Sequence, residues 1–176
     1  TEILEVAMEI RQEIEKDYEE VYKLVKEAFE TAEHADGNEQ DLVEALRKGS
    51  AFVPELSLVA EKDGELAGHI LFTRAKVGED TVLVLAPLSV KPKFQRQGVG
   101  TALIEQGHKI ARELRYSYSL VLGSEKYYPR FGYIPAEQLG IQVPEGIPSP
   151  NFMAMKLREE GTPVNGAVTY PEEFGM

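Results

Sequence analysis

Gln95-Arg96-Gln97-Gly98-Val99-Gly100-Thr101 is the stretch of this chain best equipped to do chemistry on an anion. Two glycines where a helix begins let a ligand approach the backbone closely and leave the first N–H groups of the helix unbonded. Those groups lie at the positive end of the helix dipole, where phosphate is favoured. Arg96 adds a forked cation matched to phosphate oxygens. Two familiar phosphate motifs do not fit. A dinucleotide fingerprint needs a third glycine where Leu103 stands, and a P-loop needs Gly-Lys-Ser/Thr where the chain reads Gly100-Thr101-Ala102.

The charge pattern points the same way. Thirty acids in 176 residues is about one in six, yet none lies between Thr81 and Ile104, where Lys91, Lys93 and Arg96 sit. A chain of net charge -11 has cleared one segment of negative charge, as local anion binding requires. That net charge argues against nucleic acid as a partner; it leans toward a cationic substrate through long-range attraction, while the plainer reading is that acidity keeps the protein soluble. The absence of cysteine removes disulfides, thiol nucleophiles and Cys-ligated zinc together. His34, His69 and His108 are too scattered to make a metal site, and the last two read as ordinary strand and helix-surface positions. No apolar run approaches the ~20 residues of a membrane helix, and Thr1–Ile10 lacks the marks of a secretory signal. A cytoplasmic protein with no membrane partner is expected.

The elements that must position the glycine loop can be read from periodicity. Residues 8–13 alternate as a short strand. Asp17-x-x-Glu20 has capping-box spacing before a helix with Val21, Leu24, Val25, Ala28 and Phe29 on one face. Asn38 is placed to cap a second helix carrying Leu42, Val43 and Leu46. Leu56–Glu61 and Glu65–Val77 flank Asp63-Gly64 as a hairpin, and Thr81–Val90 is a further strand. Pro87 within that last, apolar run predicts a bulge in a buried strand, because proline cannot donate to the ladder. After the loop, Leu103, Ile104, Gly107, Ile110, Ala111 and Leu114 define the inner face of a long helix. A strand at Ser119–Gly123, a short helix at Glu125–Arg130 capped by Ser124, and late strands at Asn151–Leu157 and Val164–Tyr170 complete the reading. The fold class is α/β, with a mixed, mostly antiparallel central sheet and flanking helices. One domain is expected over residues 8–176, with 1–7 as an N-terminal extension.

Gln95-x-x-Gly98-x-Gly100 after a strand resembles the coenzyme A diphosphate motif of the GNAT superfamily of N-acetyltransferases, and the order of elements is similar over most of residues 8–157. Lys126-Tyr127-Tyr128-Pro129-Arg130-Phe131-Gly132-Tyr133 resembles that family's aromatic-Tyr-xxx-Gly-aromatic segment. The tail ending Tyr170-Pro171-Glu172-Glu173-Phe174 is similar to a branch of predicted acetyltransferases.

The resemblance implies transfer of an acetyl or short acyl group from acetyl-CoA to a primary amine by direct attack in a ternary complex. Backbone N–H groups of Arg96, Gln97, Gly98, Val99, Gly100 and Thr101, following Gln95, are implied to hold the diphosphate. Main-chain groups of Leu88, Ser89 and Val90 are implied to pair with the pantetheine arm where the sheet splays, and the Val90 N–H to polarise the thioester carbonyl. Tyr128 takes the place of the acid that protonates the departing thiolate. From a pKa of ~10 to a thiol near ~8.5 that transfer is uphill by about 2 kcal/mol, small beside a barrier lowering of ~8 kcal/mol or more. Tyr127 reads as packing.

The base is less evident. Freeing an amine of pKa ~10.4 at neutral pH costs about 4.6 kcal/mol, and the strand before the loop carries no carboxylate. Asp80, Glu33, His34 and Asp36 are candidates, and a water chain would also serve. The acceptor is a small-molecule or peptide amine, and a homodimer through the late strands is compatible with the pattern. The alternatives are a non-catalytic acyl-CoA sensor, which the missing strand carboxylate favours, and a scaffold whose glycine loop is only a tight turn.

Overall fold

A computed structural model describes residues 8–30 and 35–175. The expected extension at 1–7 and the base candidates Glu33 and His34 lie outside those residues. Strand β1 (Glu9–Gln12) leads to helices α1 (Tyr18–Phe29) and α2 (Glu39–Arg47), then to β2 (Phe52–Lys62), β3 (Glu65–Val77) and β4 (Asp80–Val90). Helix α3 (Val99–Glu113) and β5 (Tyr118–Leu122) follow. The chain ends with β6 (Ile134–Pro135), β7 (Ile141–Gln142), β8 (Phe152–Lys156) and β9 (Gly166–Thr169).

The sheet runs β1-β2-β3-β4-β5-β8-β6, with β9 pairing the end of β3 and also β7. Its main-path neighbours are antiparallel except β4 and β5. Alternation along β3 assigns its two faces. Leu71 packs with Val21, Leu24 and Val25 of α1 and with Val43 and Leu46 of α2. Ile70 and Phe72 pack with Leu103, Ile104 and Ala111 of α3. Helices therefore cover both faces, and each such fully buried aliphatic stabilises the fold by roughly 1.5–3 kcal/mol. α3 lies close on β3 because Gly107 has no side chain; a Cβ there would run into the Phe72 ring.

The bulge expected at Pro87 is present. Phe72 pairs Leu85 and Ile70 pairs Leu88, so β4 spends one extra residue around Ala86-Pro87. Just before the bulge the sheet also opens. β5 pairs β4 only at Leu83↔Ser119 and Val84↔Leu120, and β4 then runs on to Val90 with no β5 partner.

Several local expectations are corrected. Asp17 does not cap α1; its carboxylate accepts the Ile14 N–H at 2.8 Å and holds the Arg11 guanidinium at 2.7 and 2.9 Å, tying β1 to the helix entry. Asn38 caps α2 through its carbonyl, which accepts the Asp41 and Leu42 N–H groups, and not through its side chain. Glu125–Arg130 is not a helix: Ser124 Oγ accepts the Lys126 N–H, and a 3-10 turn follows at Tyr128–Phe131, ended by Gly132 at φ 105°. Pro129, which has no N–H to give, starts that tighter turn. Leu114 is 38% exposed because α3 stops at Glu113 and the chain turns away at Arg115. His108 is buried in the α3 core face rather than on the surface.

Candidate active site

Gly98 begins the site. It holds φ 84°, a left-handed conformation that costs glycine least, at the N-cap of α3. Among the described residues the N–H groups of Val99, Gly100 and Thr101 donate to no protein acceptor. They open onto a cleft of about 660 Å³ lined by Leu88, Val90, Gln95, Arg96, Gly98, Val99, Gly100 and Thr101 from the predicted set. Ala28 and Phe29 of α1 and Tyr127 and Arg130 of the 3-10 turn close it. Among the described residues two arginines and no carboxylate line this cleft, in a chain of net charge -11.

The remaining cations of the acid-free segment are spoken for. Glu65 takes Lys93 at 2.7 Å and Lys91 at 3.2 Å, and both hold its carboxyl below the usual range. Gln97 also turns away from the cleft, accepting from Lys62 Nζ at 2.8 Å and donating to the Lys93 carbonyl. Arg96 remains, at φ 64°.

The ladder sorts the pantetheine candidates. The Lys91 N–H donates to the Ala67 carbonyl, so 91 and 67 form a hydrogen-bonded pair in an antiparallel ladder that pairs His69 with Ser89 and Gly68 with Val90. Bonded and non-bonded pairs alternate. Ser89 therefore gives its main-chain groups to His69, while Leu88 and Val90 turn theirs toward the side β5 has vacated. Gln95 Nε2 donates to the Val90 carbonyl from that side at 3.3 Å. Of the three expected main-chain partners, the register leaves Leu88 and Val90 available and withdraws Ser89, whose hydroxyl is buried without a partner.

Tyr128 lies in a second, larger cleft of about 1450 Å³, which shares Phe29, Leu88 and Tyr127 with the first. Its ring sits where a Cβ on Gly123 would be and meets Tyr127 edge-on at 5.1 Å and Tyr133 at 5.8 Å. Burial pushes its hydroxyl pKa well above the ordinary value, with the neighbouring Tyr127 adding to the shift. Tyr128 is thus wholly protonated at neutral pH. Tyr127, expected from the sequence only to pack, stands at the junction of both clefts. Its hydroxyl lies 2.7 Å from where a Gly100 Cβ would be.

The second cleft is lined by Asp36, Glu39, Asp41, Glu125 and Glu173, with Lys126 as its one cation among the described residues. Of the base candidates, Asp36 lines it, whereas Asp80 stands at the β3–β4 turn opposite Val77, in neither cleft. Glu39, Asp41, Glu125 and Glu173 were not singled out from sequence, because carboxylates near a helix start or a chain end read as solvated. Arg130 was also missed, although its spacing from Tyr127 across a Pro-containing turn was the available signal.

Behind the clefts, His108 and Tyr133 share a buried hydrogen bond of 2.9 Å, and Tyr133 reaches Ser119 at 2.8 Å. His69 is fully buried beside Ser57 Oγ at 3.0 Å, and Ser57 donates to Glu13, which Arg47 clamps with two hydrogen bonds. Desolvation lowers both histidines from 6.5 to about 4.

Comparison with known proteins bears on this geometry. The profile of the Acetyltransferase (GNAT) family matches residues 12–133. The uncharacterized N-acetyltransferase YjhQ of Escherichia coli K12 is 35% identical over 156 residues, 83% of this chain and 86% of that protein. The uncharacterized N-acetyltransferase YhbS of the same strain is 31% identical over 171 residues, 95% of this chain and 98% of that protein. The crystal structure of Escherichia coli YhbS in complex with CoA superposes with a TM-score of 0.88 at 28% identity, covering 100% of this chain and 96% of that one. A GNAT family acetyltransferase from Brucella melitensis in complex with acetyl-CoA gives 0.80 at 29% identity, covering 97% and 99%.

Proposed function

The chain belongs to the GNAT family of acetyl-CoA-dependent acetyltransferases, and from that premise we propose that it transfers acetyl directly from acetyl-CoA to a cationic primary amine held in the second cleft. The observation that carries this reading is the meeting of two clefts of opposite character. Among the described residues one carries no carboxylate and opens onto unbonded helix N–H groups, and the other is lined by five carboxylates; they join at Phe29, Leu88 and Tyr127. Donor and acceptor can then be held together, as attack without an acyl-enzyme requires.

In this reading the diphosphate lies on the N–H groups of residues 98–101, and the arm runs beside Leu88 and Val90 as a missing strand. The Val90 N–H faces the thioester carbonyl and stabilises the oxyanion as the amine attacks. Collapse breaks the C–S bond, Tyr128 gives its proton to the departing sulfur, and the proton shed by the new amide nitrogen restores the tyrosine through water. The ammonium is attracted by the carboxylates around it and loses its proton through them to water. The same carboxylates discriminate against an anionic acceptor, which would enter at a cost.

Acetyl-CoA supplied with a panel of amines should release free thiol, fastest with acceptors carrying a second positive charge. Tyr128→Phe should lower kcat by roughly 10²-fold, the low end for a general acid, with the Kd for CoA nearly unchanged. Full turnover in that variant removes Tyr128 from the mechanism, and a preference for anionic amines removes the charge argument.

A further inference from the structure

We propose that Arg130, aimed by the Tyr127 ring, is a second side-chain clamp on the diphosphate of the cofactor, facing Arg96 across the first cleft. This rests on the acetyl-CoA reading and extends it to a segment that lies outside the glycine loop.

Arg130 stacks on the Tyr127 ring with its guanidinium carbon 4.6 Å from the centroid, and its Nε donates to the Tyr127 carbonyl. A flat face and a carbonyl together restrict a side chain that would otherwise sweep freely. The Tyr127 hydroxyl in turn lies over Gly100, so the platform is seated directly on the helix start that presents the open N–H groups. Arg130 and Arg96 line the same cleft. Among the described residues neither makes an ion pair, whereas Arg11, Arg47 and Arg158 each hold a carboxylate and Lys91 and Lys93 share Glu65. In an acidic protein, two arginines in one cleft with no carboxylate beside them among the described residues describe a dianionic ligand, and a guanidinium fork matches phosphate oxygens better than an ammonium would.

Titration calorimetry on the intact protein tests the assignment, using CoA, dephospho-CoA (which keeps the diphosphate and lacks the 3′-phosphate) and pantetheine (which lacks both). Arg130→Gln should raise the Kd for CoA and dephospho-CoA alike by about tenfold and flatten its dependence on salt, with the pantetheine signal unmoved. Arg130→Lys should fall between the two, because it keeps the charge and loses the fork. An unchanged Kd for CoA overturns the proposal. So does a loss seen with CoA alone, which would place Arg130 on the 3′-phosphate, and so does an equal loss with pantetheine, which would make its role structural. Wild-type protein that binds none of the three defeats the acetyl-CoA reading itself, a result separate from any of these.

Discussion

Gly98 and Gly100 look equivalent in the sequence, but the structure gives them different reasons to be glycine. Gly98 sits at φ 84° with nothing within 4 Å of its Cβ position, so its constraint is conformational. Gly100 is inside α3 with an ordinary φ, and its Cβ position is crowded by the Tyr127 hydroxyl at 2.7 Å. The two alanine variants should therefore differ in kind. Gly98→Ala should cost about 1 kcal/mol of stability through left-handed strain. Gly100→Ala gains up to about 1 kcal/mol of helix propensity yet displaces Tyr127, so it should leave the urea midpoint unchanged or higher while weakening CoA binding. Parallel urea titration and calorimetry on the two variants check this. A Gly100→Ala protein that binds CoA like wild type would show that Tyr127 has no part in the cleft.

At the scale of elements, what was legible followed from what the backbone demands locally. Asp63-Gly64 declared the β2–β3 hairpin, Pro87 declared the β4 bulge, and the glycine pair declared the α3 start. Contacts made at a distance were not legible. Asp17 looked like a cap by spacing but is held by Arg11, and Asp17 and Glu61 meet on that arginine only because β1 pairs β2. The side-chain roles of Arg130 and Glu173 depend on where a 3-10 turn and a chain end fold back. Gly107 shows the same limit. It read as one more small residue on an inner face, yet it sets how closely α3 lies on Phe72. Gly107→Ala should lower stability by up to about 2 kcal/mol, because overpacking of ~1–3 kcal/mol is set against the ~1 kcal/mol gained in propensity. It should also weaken CoA binding, since α3 carries the N–H groups of the loop. Urea titration reads the first effect and calorimetry the second; a more stable variant would mean that α3 is not seated by this contact.

For the molecule as a whole, the fold buries two histidines and lowers their pKa behind two clefts of opposite character that stand side by side. His108 is bonded to Tyr133, whose ring packs on Tyr128, and His69 lies between Ser57 and the Glu13–Arg47 pair. Desolvation is the leading cause of both depressions; Arg112 adds to it at His108, while at His69 the Glu13 charge opposes and the Arg47 charge reinforces it. A folded-state pKa below the unfolded value means that the unfolded chain takes up protons first as pH falls. The stability contributed by each neutral histidine is complete above about 6.5 and drains away as pH drops toward about 4. Between pH 7.5 and pH 5 the linkage removes about 2 kcal/mol for each of the two groups. Asp17 and Glu65, whose pKa values are lowered by Arg11 and by Lys93 with Lys91, lose their contributions only below their ordinary 3.8 and 4.5, so this window isolates the histidines. Urea midpoints taken across it should fall steadily toward acid, and His108→Gln, which carries no proton to gain, should fall by about half as much. A midpoint that is flat from pH 7.5 to pH 5 would mean that these imidazoles are hydrated in the folded protein, and with that the dry setting argued for Tyr128 would go as well.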